Sequence, residues 1–310
     1  MRQSLNKLAF HGSVLVIKNG KVAMNYATAN KTDTSYLINS VQKFMTATLV
    51  MRAVQDGKMS LNDKVAKYYP NIPGGNKVTI ANLLQMTSGL TLKDKVKLGT
   101  VPFVSDAKNF KYAVANTQFD SKMLGKSFYS TLNYVLLSGI VAKVNHTSYE
   151  KLVEKYFIKR LKLKHTAFVW SKARILANIN FVSGYSVGSN GKVNKTKLDL
   201  NEIHGELGAG SLAMSNQDLY KVLKDALSGN ILTEQSRQII FKGNPPGFYN
   251  GGFYNNSSFK GANGASDGYY TFVRTSNDGQ DAIIVQSNYQ TGNFYKLRAE
   301  MNKLTPLIIG

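Results

Sequence analysis

Between positions 12 and 18 the chain reads Gly-Ser-Val-Leu-Val-Ile-Lys, a β-branched apolar run closed by Asn19-Gly20. Asn-Gly at that place is a hairpin signal, so Lys21 to Tyr26 is expected to return as a second strand. Thr34-Ser35-Tyr36-Leu37-Ile38 predicts a third short strand that runs into Asn39-Ser40. From Ser40 to Gln55 the period changes. Val41, Phe44, Met45, Thr48, Leu49, Arg52 and Ala53 recur at helical spacing, and Asp56-Gly57 supplies the stop. Apolar residues fall on nearly every side of this helix, so it is expected to be central and buried. Asn39 is placed to cap it, which puts Ser40 in the first turn.

The middle of the chain, about 60 to 230, reads mainly helical with long polar connections. Thr79 to Met86 predicts a helix that ends at Thr87-Ser88-Gly89-Leu90. Residues 130 to 144 predict another, with Tyr134, Leu137, Ile140, Val141 and Val144 on one face. Ser215-Asn216-Gln217-Asp218 is a capping-type start for a third over Leu219 to Leu227. Strand signals return in the tail, where 269–274 and 281–286 flank a Ser-Asn-Asp-Gly turn, and Glu300 to Leu307 closes the chain as a short helix. The stretches Asn250-Gly251-Gly252 and Asn255-Asn256 read as loops. The expected fold class is therefore α/β of the α+β kind. One antiparallel sheet is built from both chain ends, about 1–60 and 230–310, with helices on it and a mainly helical part inserted over about 61–229. All of it is expected to form one catalytic domain over 1–310.

Composition changes this picture little. Hydrophobic residues at 43% and charged residues at 18% are ordinary for a folded chain and argue against disorder. No run approaches the roughly 18 to 20 apolar residues of a membrane helix, so no transmembrane segment is expected. Met1 to Leu8 does not read as a signal peptide, and any signal or anchor is expected to lie outside this chain. The absence of cysteine excludes a disulfide scaffold and a thiol nucleophile. His11, His146, His165 and His204 are dispersed without ligand spacing, so neither a metal nor a cofactor is expected. His204-Gly205-Glu206, just before the glycine-rich segment, reads as a surface turn, with lining the cleft as the alternative.

Charge changes it more. Lys+Arg of 39 against Asp+Glu of 18 leave a formal net charge of +21, which favours encounters with polyanions. The basic residues are scattered rather than gathered, and no recognition helix, zinc spacing or aromatic-basic motif supports nucleic acid as the partner. An anionic cell envelope is served equally well by such a surface.

The sharpest candidate chemistry is Ser40-Val41-Gln42-Lys43. A serine at a buried helix start with lysine three residues on places hydroxyl and amine on one face, about one turn apart. A neutral lysine can take the serine proton, and the helix N-terminus favours the alkoxide that develops. Taken alone, so short a spacing is equally a helix-start serine and a solvated lysine.

Other segments stand in order behind it. Phe128-Tyr129-Ser130-Thr131-Leu132-Asn133-Tyr134-Val135-Leu136-Leu137 resembles the F-x-Y-S-N-x-x-Y-x-L-L-G segment of class C β-lactamases, D-alanyl carboxypeptidases and related esterases. Leu83 to Leu90 is similar to that family's L-L-x-H-T-S-G-L, and 208–219 to its A-G-G-L-x-S-T-x-x-D-L. Gly261-Ala262-Asn263-Gly264-Ala265 stands where the family has G-H-x-G-G before a closing hairpin. The resemblance runs through most of the chain. It implies Ser40 as nucleophile, Lys43 as its proton acceptor or electrostatic partner, and Tyr129 as the relay to leaving group and water. It implies the backbone N–H groups of Ser40 and Ala265 as an oxyanion hole, with Thr131, Asn263 and Gly264 on the substrate side.

Two departures bear on substrate. Thr131 replaces the family's amide and offers one hydrogen bond to a substrate carbonyl or to Lys43. Ala262 stands where the family has His or Lys, the cation that faces a substrate carboxylate; Lys260, two residues earlier, is a candidate replacement if the register shifts. The expectation is an extracytoplasmic, envelope-associated serine hydrolase acting on D-alanyl esters of teichoic acid, whose acyl group carries an ammonium and whose backbone is an anionic polymer. A D-alanyl-D-alanine carboxypeptidase or penicillin-binding protein is the alternative within the class. A binding or sensor module that has lost turnover is the alternative outside it.

Overall fold

The computed structural model describes residues 10–99, 105–188, 190–242 and 247–309, so the run Met1 to Leu8 lies outside the described residues. Seven strands form the main sheet: β1 (Gly12–Lys18), β2 (Lys21–Thr28), β3 (Phe248–Asn250), β4 (Phe253–Asn255), β5 (Phe259–Ser266), β6 (Tyr269–Ser276) and β7 (Ala282–Ser287). Their spatial order is β3-β4-β5-β6-β7-β1-β2, with every neighbouring pair antiparallel. The two chain ends meet where β1 pairs with β7, from Gly12 opposite Ser287 to Ile17 opposite Ala282. The expected sheet of both termini is thus observed.

The uninterrupted apolar run in β1 has a physical reason, since both faces of the sheet are covered. Val14 and Val16 pack with Phe272, Val285, Leu297 and Met301 under a C-terminal helix, while Leu15 and Ile17 join the larger core on the other side. That larger core holds α1 (Lys43–Gln55), α2 (Thr131–Val144) and α3 (Asn216–Ser228); the C-terminal helix is α4 (Phe294–Ile308). From Lys43 to Met51 every residue of α1 is buried, as its lack of a polar face requires. Ser215 caps α3, its hydroxyl accepting from Asp218 N at 3.3 Å. Thr79 and Asn82 close a capping box on the short helix Ile80–Leu84.

Several expectations are corrected. Ser35–Leu37 does not join the main sheet; it pairs with Leu212–Ser215 in a separate three-stranded sheet. The segment read as two loops is a hairpin, β3 and β4, in which Gly251 (φ 61°) and Gly252 (φ 88°) make the turn. The Gly252 turn presses so closely on α1 that an added Cβ would stand 2.3 Å from Phe44 N. Strands of three residues on either side of a Gly-Gly turn are too short to give a periodic signal. The closing helix begins at Phe294 rather than near Glu300.

Candidate active site

The chain enters α1 through a 3-10 turn, Asn39–Gln42. Three residues per turn place i and i+3 one above the other, and Lys43 Nζ donates to Ser40 Oγ at 2.7 Å and to Ala209 O at 3.1 Å. Lys43 is fully buried whereas Ser40 is half-buried, so the hydroxyl faces outward with the amine beneath it. Asn39 does not cap the helix as expected. It sits in the left-handed region (φ 49°) and its amide is engaged with the sheet, where Ser266 Oγ donates to its Oδ1 at 2.9 Å and its Nδ2 donates to Ser266 O at 3.4 Å.

That link brings the edge of β5 to the serine. β4 pairs β5 only at Lys260 and Gly261, so from Ala262 to Ser266 this edge has no strand beside it among the described residues and lies against the Ser40 turn instead. Gly264 permits the approach: a Cβ there would stand 2.3 Å from Ile38 O and 3.0 Å from Asn39 Cβ. Ala265, exposed, lies between Gly264, which is against Ile38 O, and Ser266, which is bonded to Asn39.

Tyr129 comes from the loop before α2. Its ring centroid is 5.2 Å from Lys43 Nζ, its edge rests on Tyr249 at 5.6 Å, and it remains 42% exposed, open to a ligand. The loop is held by the Leu83-to-Leu90 segment, for which the sequence offered only a likeness. Met86 (φ 56°) accepts from Phe128 N through its carbonyl at 2.8 Å and from Asn133 Nδ2 through its sulfur at 3.2 Å. Ser88 Oγ donates to Asn133 Oδ1 at 2.6 Å.

A third wall is the glycine-rich segment after Glu206. Gln42, inside the S-x-x-K tetrad, accepts from Ser211 N at 2.6 Å and Leu212 N at 2.9 Å through its Oε1. Thr46 Oγ1 donates to Gly208 O at 2.5 Å. The segment is thereby stitched to α1, which fixes the Ala209 carbonyl that holds Lys43. Gln42 went unnoticed because its partners lie between 107 and 170 positions away.

The remaining expected site residues divide. Thr131 is the first residue of α2, half-buried, and its hydroxyl makes no hydrogen bond to a described residue, Lys43 included. The Asn263 amide does not face Ser40, which corrects its expected place on the substrate side. Side chains alternate across a strand; Asn263 is on the α4 face, where its Oδ1 accepts from Arg274 Nη1 at 3.0 Å. Arg274 in turn donates to Asn302 of α4 at 3.0 Å. Lys260 does not substitute for the missing cation. Its ammonium is buried and donates to Phe241 O and to Asn255 Oδ1 at 2.9 Å, and burial lowers its pKa to about 8. Ala262, 2% exposed, is packed in the core.

His204-Gly205-Glu206 is not a surface turn. His204 is buried at the end of the helix Leu200–Gly205, 3.2 Å from Asp106 Oδ1. Glu206 is half-buried beside the site, its carboxyl raised above the ordinary range by burial and drawn down by Lys43. A single acid directly before a glycine-rich stretch, in so basic a chain, was the available signal.

A family model described as Beta-lactamase matches residues 7–304. The putative penicillin-binding protein PbpX of Bacillus subtilis (strain 168) is 26% identical over 317 residues, covering 98% of this chain and 76% of that protein. Teichoic acid D-alanine hydrolase of Staphylococcus aureus (strain MRSA252) is 31% identical over 234 residues, which is 71% of this chain and 55% of the hydrolase; the match thus spans about half of that protein's length. Among solved structures, FmtA from Staphylococcus aureus superposes with a TM-score of 0.83 at 23% identity, covering 98% of this chain and 85% of the other, a likeness of fold.

Proposed function

Because this chain belongs to the β-lactamase family and has the fold of its serine hydrolases, we propose that it removes D-alanyl groups from ester linkage on an anionic cell-wall polymer, through an acyl-enzyme on Ser40. The observation that carries the reading is the 2.7 Å contact of Lys43 Nζ with Ser40 Oγ, made from a fully buried side chain beneath an open hydroxyl. In this reading the Ser40 oxygen attacks the ester carbonyl as its proton passes to Lys43. The tetrahedral oxyanion is met by the backbone N–H groups of Ser40 and Ala265. The C–O bond to the polymer breaks, the leaving oxygen takes a proton by way of Tyr129, and water then releases D-alanine from Ser40.

Substrate class is argued from two features. Ala262 leaves the carboxylate-facing position without a cation, and Lys260 is committed elsewhere; a substrate ending in a carboxylate loses its partner. A net charge of +21 suits a polyanionic carrier at the extracytoplasmic surface. The relative named teichoic acid D-alanine hydrolase supports the same substrate. The likeness to a penicillin-binding protein favours a second reading, a D-alanyl-D-alanine carboxypeptidase.

Intact-mass spectrometry after a fluorophosphonate and, separately, a penicillin distinguishes them, with Ser40→Ala as control. The expected result is a Ser40-dependent fluorophosphonate adduct, no penicilloyl adduct, and release of D-alanine from D-alanylated teichoic acid. Adducts with both reagents and no release from the polymer would move the carboxypeptidase reading ahead. No adduct with either would leave a binding module.

A further inference from the structure

The geometry points to Glu206 as the residue that receives the α-ammonium of the acyl group, and so selects aminoacyl esters over uncharged ones. It rests on the acyl-transfer reading above for the position of the nucleophile.

Three observations place the carboxylate. The turn after the helix Leu200–Gly205 folds back on itself, Ala209 N donating to Glu206 O at 2.8 Å. Glu206 Oε2 is thereby carried over Gly210, 3.3 Å from where a Cβ would stand, and the same point is 3.3 Å from Asn39 Cα and from its carbonyl carbon, the atom that bears Ser40. The carboxylate and the Ser40 peptide face one another across a residue without a side chain. Lys43, bonded to both Ser40 Oγ and Ala209 O, is the cation whose charge Glu206 feels most, and Glu202 and Asp267 add negative charge on the same side.

The carboxylate has no hydrogen bond or ion pair to a described residue. In a chain with 39 basic residues and 18 acidic ones, an acid left unpaired beside the nucleophile is uncommon. It is half-buried, so it is neither sealed in the core nor dispersed in solvent. An α-ammonium lies two bonds, about 2.5 Å, from the acyl carbon. Any group that receives it must therefore stand within a few ångströms of Ser40 Oγ on the acyl side. Glu206 Oε2 and the carbonyl carbon of Asn39 are each 3.3 Å from one point over Gly210, so the carboxylate lies within twice that distance of the peptide that presents Ser40, and a charged hydrogen bond in a partly water-excluded site is worth more than one at the surface. The acidic corner and the basic exterior then divide the work: the exterior attracts the polymer, the corner takes its one kind of cation.

The test uses two small thioesters of the same thiol, D-alanyl and D-lactyl, which differ by ammonium against hydroxyl. The wild-type protein is expected to prefer the D-alanyl ester in kcat/KM, and Glu206→Gln to reduce that preference by about ten- to a hundred-fold. The ratio of the two thioesters is the readout, because any effect of the lost charge on Lys43 is common to both, and Glu206→Asp should recover part of the preference. Equal loss on both thioesters with acyl-enzyme accumulating by mass would make Glu206 a proton-transfer group and overturn the inference. So would an unchanged preference in Glu206→Gln, or no preference in the wild type. If the thioester preference holds while D-alanine stays on teichoic acid, the ammonium assignment stands and the polymer reading falls.

Discussion

Gly264→Ala isolates the contact that holds the sheet edge to the nucleophile. The new methyl would stand 2.3 Å from Ile38 O and 3.0 Å from Asn39 Cβ, against about 3.5 Å for ordinary contact. Neither neighbour is a flexible side-chain end; both belong to the tight turn that presents Ser40. The strand edge must retreat by about 1 Å, taking Ala265 with it and stretching the Ser266–Asn39 bonds, now 2.9 and 3.4 Å. A misplacement of that size costs about a hundred-fold in a positioned reaction, and losing one oxyanion donor about a hundred- to a thousand-fold. Overpacking should lower stability by about 1 to 3 kcal/mol, which leaves the fold intact. The assay is the second-order rate of fluorophosphonate labelling with thermal unfolding in parallel. The expected outcome is a rate at least about a hundred-fold lower on a protein that still melts cooperatively. Labelling within about two-fold of wild type would refute the claim that this edge completes the site.

Gln42→Leu removes the acceptor shared by two buried N–H groups, so a loss of about 2 to 5 kcal/mol is expected in denaturant unfolding, with labelling slowed because Ala209 no longer fixes Lys43. Tyr129→Phe acts on a 42% exposed side chain, so unfolding should be unchanged while turnover of a D-alanyl ester falls about a hundred- to ten-thousand-fold, read by rate assay and by acyl-enzyme in the mass spectrum. Lys260, lowered by burial to about 8, gives a pH signature. The unfolded chain holds that proton above pH 8 when the folded one has lost it, so stability should rise between about pH 8 and 9.5 by about 2 kcal/mol. Chemical unfolding should show Lys260→Met without that rise.

Much of this protein was legible before any coordinates. The β1 run and its Asn19-Gly20 turn, the all-round apolar α1, the capped α3 and the final hairpin follow from local chemistry: side-chain alternation, helical period and turn residues act over a few positions. The Ser40–Lys43 pair belongs to the same class, because three residues of 3-10 turn suffice to join them at 2.7 Å. The rest depends on long-range closure. Whether Asn263 faced the serine or the C-terminal helix was a matter of strand parity, and a shift of one residue would have reversed it. Lys260 could be excluded as the missing cation only once Asn255 Oδ1 stood 2.9 Å away. Gln42 and Met86 lie inside motif segments without matching a motif residue, and Glu206 lies in none; each matters through partners or open space supplied by segments remote in the chain. A pattern along the chain specifies which faces are buried, whereas the packing of one segment on another decides which polar group is left without a partner, and that is where a substrate is recognised.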